Sequence, residues 1–128
     1  MNIAVAGFRH GHIGSIINAF RQQPETVFVG AAEDEPEEYG ATAEKAGIKI
    51  THRDVTSLLE ETDCDVLLVG DYYTRRGQQV IRALNAGKHV FCDKPLCTSL
   101  EELQEIRRLS DEKKLSVFVA LTLSLIHI

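Results

Sequence analysis

Asn2-Ile3-Ala4-Val5-Ala6-Gly7-Phe8-Arg9-His10-Gly11-His12-Ile13-Gly14 decides the fold. Its first half is an unbroken apolar run ending in glycine, the pattern of a strand buried on both faces of a parallel sheet. Its second half opens a helix, because Ile13, Ile16, Ile17 and Phe20 recur at i, i+3, i+4 and i+7 and so share one face. Outward from there the same alternation repeats. Val27-Phe28-Val29-Gly30-Ala31-Ala32 reads as a second buried strand. Pro36 suits the first turn of a helix that carries Tyr39, Ala43 and Ala46 and stops at Gly47. Ile48-Lys49-Ile50 is a short third strand, with Val55, Leu58 and Leu59 marking a helix behind it. A fourth strand covers 65–70, and a helix over roughly residues 77 to 85 ends at Gly87. Val90-Phe91-Cys92 is the fifth strand. Ser99 and Glu102 form a capping box that opens a helix with Leu100, Leu103, Ile106 and Leu109 on its inner side, and 116–121 is the sixth strand. Strands buried on both faces need helices on both faces, and right-handed crossovers supply them. The pattern therefore predicts an α/β fold, a doubly wound parallel sheet (Rossmann fold) of six strands in the order 3-2-1-4-5-6.

The 128 residues suffice for one domain with a single core. Apolar residues make up 44% and charged residues 26%, the balance of a globular protein. A net charge of −5 without a basic stripe argues against a nucleic-acid partner. No apolar run approaches the ~20 residues that span a bilayer, so no membrane association is expected. Met1-Asn2-Ile3-Ala4-Val5 lacks the positive start of a signal peptide, which leaves a cytoplasmic location as the default. Cys64, Cys92 and Cys97 form no CxxC pair and read as reduced thiols. Cys64 and Cys92 sit beside apolar runs, as small buried hydrophobes do.

Leu123-Ser124-Leu125-Ile126-His127-Ile128 continues an apolar strand without turn, cap or polar tail. These residues coincide with a translation of the mosaic-end adapter used in transposon-based sequencing libraries. The expectation is a natural domain over 1–122, with 123–128 an adapter scar to be excluded from fold reasoning.

A ligand on such a sheet belongs at the carboxyl ends of the strands. The turn there is Gly7-Phe8-Arg9-His10-Gly11-His12-Ile13, and the helix it opens directs free N–H groups and a positive dipole end toward pyrophosphate. It departs from G-x-G-x-x-G: Arg9 and His12 stand at the second and third glycine positions. Arg9 either contacts phosphate or points away. His10 and His12 could hold zinc, line a cofactor pocket or face solvent; with no further ligand nearby, no metal is expected. Glu33 closes the second strand, where a carboxylate accepts both hydroxyls of an adenosine ribose and repels a 2′-phosphate. With Asp34, Glu35, Glu37 and Glu38 following, NAD is expected rather than NADP. The fifth strand delivers Asp93-Lys94-Pro95 to the same rim, with Pro95 fixing the turn, in trans or cis. A lysine there can donate to a substrate oxygen and stabilise developing negative charge.

Ala86-Gly87-Lys88-His89-Val90 followed by Asp93-Lys94-Pro95 resembles the A-G-K-H-V-x-x-E-K-P signature of the glucose–fructose oxidoreductase, inositol dehydrogenase and MocA family (Gfo/Idh/MocA), with aspartate for the family's glutamate. The resemblance covers residues 1 to about 122. It implies an NAD-dependent dehydrogenase acting on a sugar, cyclitol or related polyol, with Lys94 touching substrate and nicotinamide. It also implies a second, substrate-holding domain that this chain lacks, a homo-oligomeric full-length protein, and a fragment that is inactive alone. A non-catalytic NAD-binding or redox-sensing module is the competing expectation. After the fourth strand the family carries a T/N-P loop and a histidine; Asp71-Tyr72-Tyr73-Thr74-Arg75-Arg76 stands there instead. Asp71 and Tyr72 are expected beside the cofactor, Tyr73 can pack beside nicotinamide, and Arg75 or Arg76 either meets an anionic group or lies on the surface.

Overall fold

The computed structural model describes residues 1–9 and 12–120. Within them, strand β1 (Asn2–Ala6) leads to helix α1 (His12–Arg21) and strand β2 (Val27–Ala32). Helices α2 (Pro36–Lys45) and α3 (Val55–Glu61) follow, then β3 (Val66–Val69), α4 (Tyr73–Asn85), β4 (His89–Asp93), α5 (Leu100–Lys113) and β5 (Val117–Ala120). All strand pairs are parallel, and the sheet has five strands in the order β2-β1-β3-β4-β5.

The expected six-stranded sheet is corrected in one element. Ile48-Lys49-Ile50 forms no strand; a single parallel bridge between Ala32 and His52 is all that pairs there. The reason is local. The Thr51 hydroxyl accepts the Ala31 N–H at 3.0 Å, while the Thr51 and His52 N–H groups both donate to the Ala31 oxygen. A side chain thus takes the donor that a ladder would extend. The remaining five strands keep the expected relative order, and the expected adapter scar at 123–128 lies outside the described residues.

Alternation along the strands splits the core in two. Ile3, Val5, Val66 and Leu68 face α1 and α2, whereas Ala4, Ala6, Leu67, Val69, Val90 and Cys92 face α3, α4 and α5. Ile13, Ile16 and Ile17 form the buried stripe of α1 as their spacing requires. The Ser99 hydroxyl caps α5 by accepting the Glu102 N–H at 3.1 Å. Of the residues expected on the inner side of α5, Ile106 and Leu109 are buried but Leu100 and Leu103 are exposed. Helix α4 begins at Tyr73, a full turn before the sequence signal at Gly77.

The exits of β1 and β3 touch. Gly7 N–H donates to Ala32 O, Gly70 N–H to Ala6 O, and Arg9 N–H to Gly70 O at 3.1 Å. Gly7 has φ +86°, and a Cβ there would lie 2.8 Å from both Cα and Cβ of Asp71. Only glycine permits that turn and that approach together. Gly7→Ala should therefore lose about 2 kcal/mol or more in urea unfolding; an unchanged midpoint and slope would contradict this packing.

Candidate functional site

Parallel strands end on one rim, so Glu33 after β2, Gly7 after β1, Asp71 after β3 and Lys94 after β4 emerge side by side. Glu33, Asp71 and Asp93 are buried there. Glu33 Oε1 accepts the Phe8 N–H at 3.1 Å, and Oε2 accepts the Glu35 N–H at 2.9 Å and Arg9 Nη2 at 3.1 Å.

Arg9 thus turns away from the strand-1 turn and lies along the end of β2. Its guanidinium pairs with Glu33, Asp34 and Glu35, and its Nε lies 3.2 Å from Asp71 Oδ1. The same group sits 4.7 Å from the ring centre of Tyr39 and 5.0 Å from that of Tyr72, within cation–π range. The two rings meet edge to face and join through their hydroxyls at 2.7 Å, a bond that pushes the Tyr39 phenol up to about 12. Burial works against the Arg9 charge, but Asp71 and Glu33 outweigh it and hold its pKa above the ordinary value. Arg75 binds Asp34 Oδ2 at 2.8 Å, and that hydrogen bond leads in lowering the Asp34 pKa.

On the other side of Gly7, Asp93 Oδ1 accepts the Lys94 N–H at 2.9 Å and Oδ2 lies 3.2 Å from His12 Nδ1. The Lys94–Pro95 bond is cis, and both residues are exposed. Beneath this loop lies Arg76, 1% exposed. Its Nε donates to Asp71 O at 2.7 Å, and its Nη1 reaches the carbonyls of Asp93, Lys94 and Pro95 at 3.2, 2.7 and 3.1 Å. One guanidinium therefore joins the loops after β3 and β4 and shapes the backbone that carries Lys94.

The expected site residues separate accordingly. Gly7, Arg9, Glu33, Asp71 and Tyr72 form one cluster, and His12, Asp93, Lys94 and Pro95 form a second along the same rim. Phe8 and Ile13 contribute their side chains to the core, leaving only backbone for a ligand. His10 and Gly11 lie outside the described residues. Cys97 is partly buried with its thiol pKa raised by that burial, and Cys92 is pushed up to about 12 by its own. Among the described residues, no group of three or more metal-ligating side chains comes together. No helix among them is long and apolar enough to cross a membrane.

Arg76 was legible only as a surface or anion-contacting residue. Its signal is helical: the buried stripe Val80, Ala83, Leu84 carried one turn back lands on Arg76. Arg76→Ala should lose about 3 kcal/mol in urea unfolding, because the carbonyls of Asp71, Asp93, Lys94 and Pro95 lose their shared charged donor together. Arg76→Lys should recover only part of it, since a lysine cannot reproduce the planar fork. A neutral Arg76→Ala would contradict the assignment.

Comparison with known proteins completes the picture. Residues 1–121 match the model of the Gfo/Idh/MocA oxidoreductase family, NAD-binding Rossmann fold. Myo-inositol 2-dehydrogenase of Thermotoga maritima is 28% identical over 120 residues, which are 93% of this chain and 35% of that enzyme. D-xylose dehydrogenase of Paenarthrobacter nicotinovorans is 29% identical over 90 residues, 70% of this chain and 22% of that one. The chain thus spans about a third or less of these relatives' length. Among solved structures, apo scyllo-inositol dehydrogenase from Lactobacillus casei superposes with a TM-score of 0.79 at 21% identity, covering 94% of this chain and 36% of that one. An oxidoreductase from Agrobacterium radiobacter, in complex with NAD+, L-tartaric acid and magnesium, gives 0.81 at 15% identity, covering 93% and 34%. The fold is shared with both. With its family model matched along nearly the whole sequence, this chain belongs to the Gfo/Idh/MocA oxidoreductases, as their NAD-binding Rossmann domain.

Proposed function

We propose that these residues form the cofactor half of an NAD-dependent dehydrogenase that moves a hydride to or from a sugar, cyclitol or related polyol. The observation that carries this reading is the emergence of Lys94 on the rim shared by Gly7 and Glu33. A glycine turn alone would serve any nucleotide-binding module. An exposed lysine two strands away, on a loop that Asp93 and Arg76 hold in shape, is placed to meet a substrate oxygen at the same rim. That favours an enzyme over a sensor.

The residues present suit the dinucleotide. Gly7, with φ +86°, makes the tight exit from β1 that a pyrophosphate turn needs, and α1 begins at His12 just beyond it. Glu33 stands at the end of β2, where the adenosine ribose is read. Bound NAD supplies the hydride acceptor, or in its reduced form the donor. The chain's own part is to bind, orient and polarise. In the reduction direction Lys94 donates a hydrogen bond to the carbonyl oxygen, stabilises the negative charge that grows on it as the hydride arrives, and can pass it a proton. In the reverse direction the hydroxyl proton returns along the same hydrogen bond as the hydride leaves. Asp93 fixes the start of the loop through the Lys94 N–H, and Arg76 fixes its carbonyls. Residues 1–122 are the cofactor domain in this reading. In the same reading, the rest of the substrate pocket and the contacts that join subunits lie outside these residues.

NADH fluorescence titration should show saturable binding to this chain, weakened about tenfold by Glu33→Ala, which removes a charged acceptor. In the full-length protein Lys94→Ala should lower kcat by about a hundredfold or more with NADH affinity within about twofold. Undiminished turnover in Lys94→Ala would refute the role assigned to it, and absence of NADH binding would refute the reading as a whole.

A further inference from the structure

We propose that Arg9 is a built-in occupant of the adenosine-ribose position: its guanidinium holds the place on Glu33 that ribose hydroxyls take, and it sets dinucleotide affinity because it must leave before they arrive. This rests on the dinucleotide reading above and goes beyond it.

The accessible surface carries the argument. The Glu33 side chain is 0% exposed and that of Arg9 is 4% exposed. Oε2 already accepts from the Glu35 N–H and Arg9, and Oε1 accepts from the Phe8 N–H and is closed off by burial. A ribose cannot reach Glu33 while Arg9 stays. The clamp is built from several elements: Glu33 and its neighbours after β2, Tyr39 on α2, and Asp71 and Tyr72 after β3.

The geometry also allows release. Arg9 Nε faces Asp71 Oδ1 at 3.2 Å as an ion pair but makes no hydrogen bond there, so this buried donor is imperfectly met where it sits and regains water on moving out. Few groups are stranded by its departure. Asp34 keeps Arg75, Asp71 Oδ2 keeps Gln79 at 2.8 Å and Oδ1 keeps the Tyr72 N–H at 2.7 Å, while the Glu35 side chain is already 52% exposed. Glu33 and the half-exposed Glu35 lose their charged partner, and ribose hydroxyls are the donors that replace it at the buried Glu33. Glycine at this position, as in G-x-G, would have no such side chain to displace. Arg9 therefore lowers affinity by the fraction of time that it occupies the carboxylate.

The test compares ADP-ribose, which carries the adenosine ribose and pyrophosphate, with nicotinamide mononucleotide, which carries neither adenosine nor its ribose. Binding is measured by calorimetry to the wild-type chain, Arg9→Ala and Tyr39→Ala. Tyr39→Ala loosens the clamp while leaving Arg9 and every carboxylate in place, so it carries the test if Arg9→Ala does not fold. The expected result is ADP-ribose binding tightened about tenfold in Arg9→Ala and about threefold in Tyr39→Ala, with nicotinamide mononucleotide unchanged. If wild type binds ADP-ribose and the variants bind it equally or more weakly, Arg9 is no competitor and only this inference falls. If no form binds ADP-ribose, the dinucleotide reading falls with it.

Discussion

Burial of negative charge at one rim is the constraint on which the loops of this domain depend. Glu33, Asp71 and Asp93 are each 3% exposed or less, and all lie at the carboxyl ends of strands. A carboxylate taken out of water costs several kcal/mol unless it is paired and hydrogen-bonded. Glu33 and Asp71 are answered by Arg9 together with backbone N–H groups, and Asp93 by the Lys94 N–H and His12. The second buried guanidinium, Arg76, answers carbonyl oxygens instead. Two arginines thus organise the space above the sheet: Arg9 covers Glu33 and Arg76 supports the loop that carries Lys94.

The sheet places this chemistry without contributing to it. Because β1 is flanked by β2 and β3 and pairs with both, its glycine exit lies between Glu33 and Asp71. The alternation that buries Ile3 and Val5 on one face and Ala4 and Ala6 on the other fixes the strand in that position. A register slip would exchange the two sets and move the rim. Small residues matter as much as large ones here, since the contact of Gly7 with Asp71 closes the gap between neighbouring strand exits.

Most of the fold was legible because apolar period and glycine position report on backbone alone. Ile13, Ile16 and Ile17 announced α1, and Pro36 and Gly47 bracketed α2. The absence of a strand at 48–50 was not legible, since Ile48 and Ile50 look like strand residues and the competing group is the neighbouring Thr51 hydroxyl. The early start of α4 hid behind Tyr72-Tyr73-Thr74-Arg75-Arg76, a stretch without apolar period, and with it hid the buried place of Arg76. Leu100 and Leu103 have the right chemistry for the core but lie on the exposed side of α5. The places of Gly7, Glu33 and Lys94 on one rim were legible from their offsets to strand ends. That Arg9 would lie on Glu33 was not, because an ion pair across 24 residues leaves no local spacing signal.

The most direct test is a two-dimensional amide NMR titration of this chain with NAD+. The account predicts shifts confined to the carboxyl rim, at Gly7, Arg9, Glu33, Asp71 and Lys94, with the last turns of α5 near Glu112 unmoved. Shifts clustered at the opposite edge of the sheet, near Asn2 and Asp65, would contradict it.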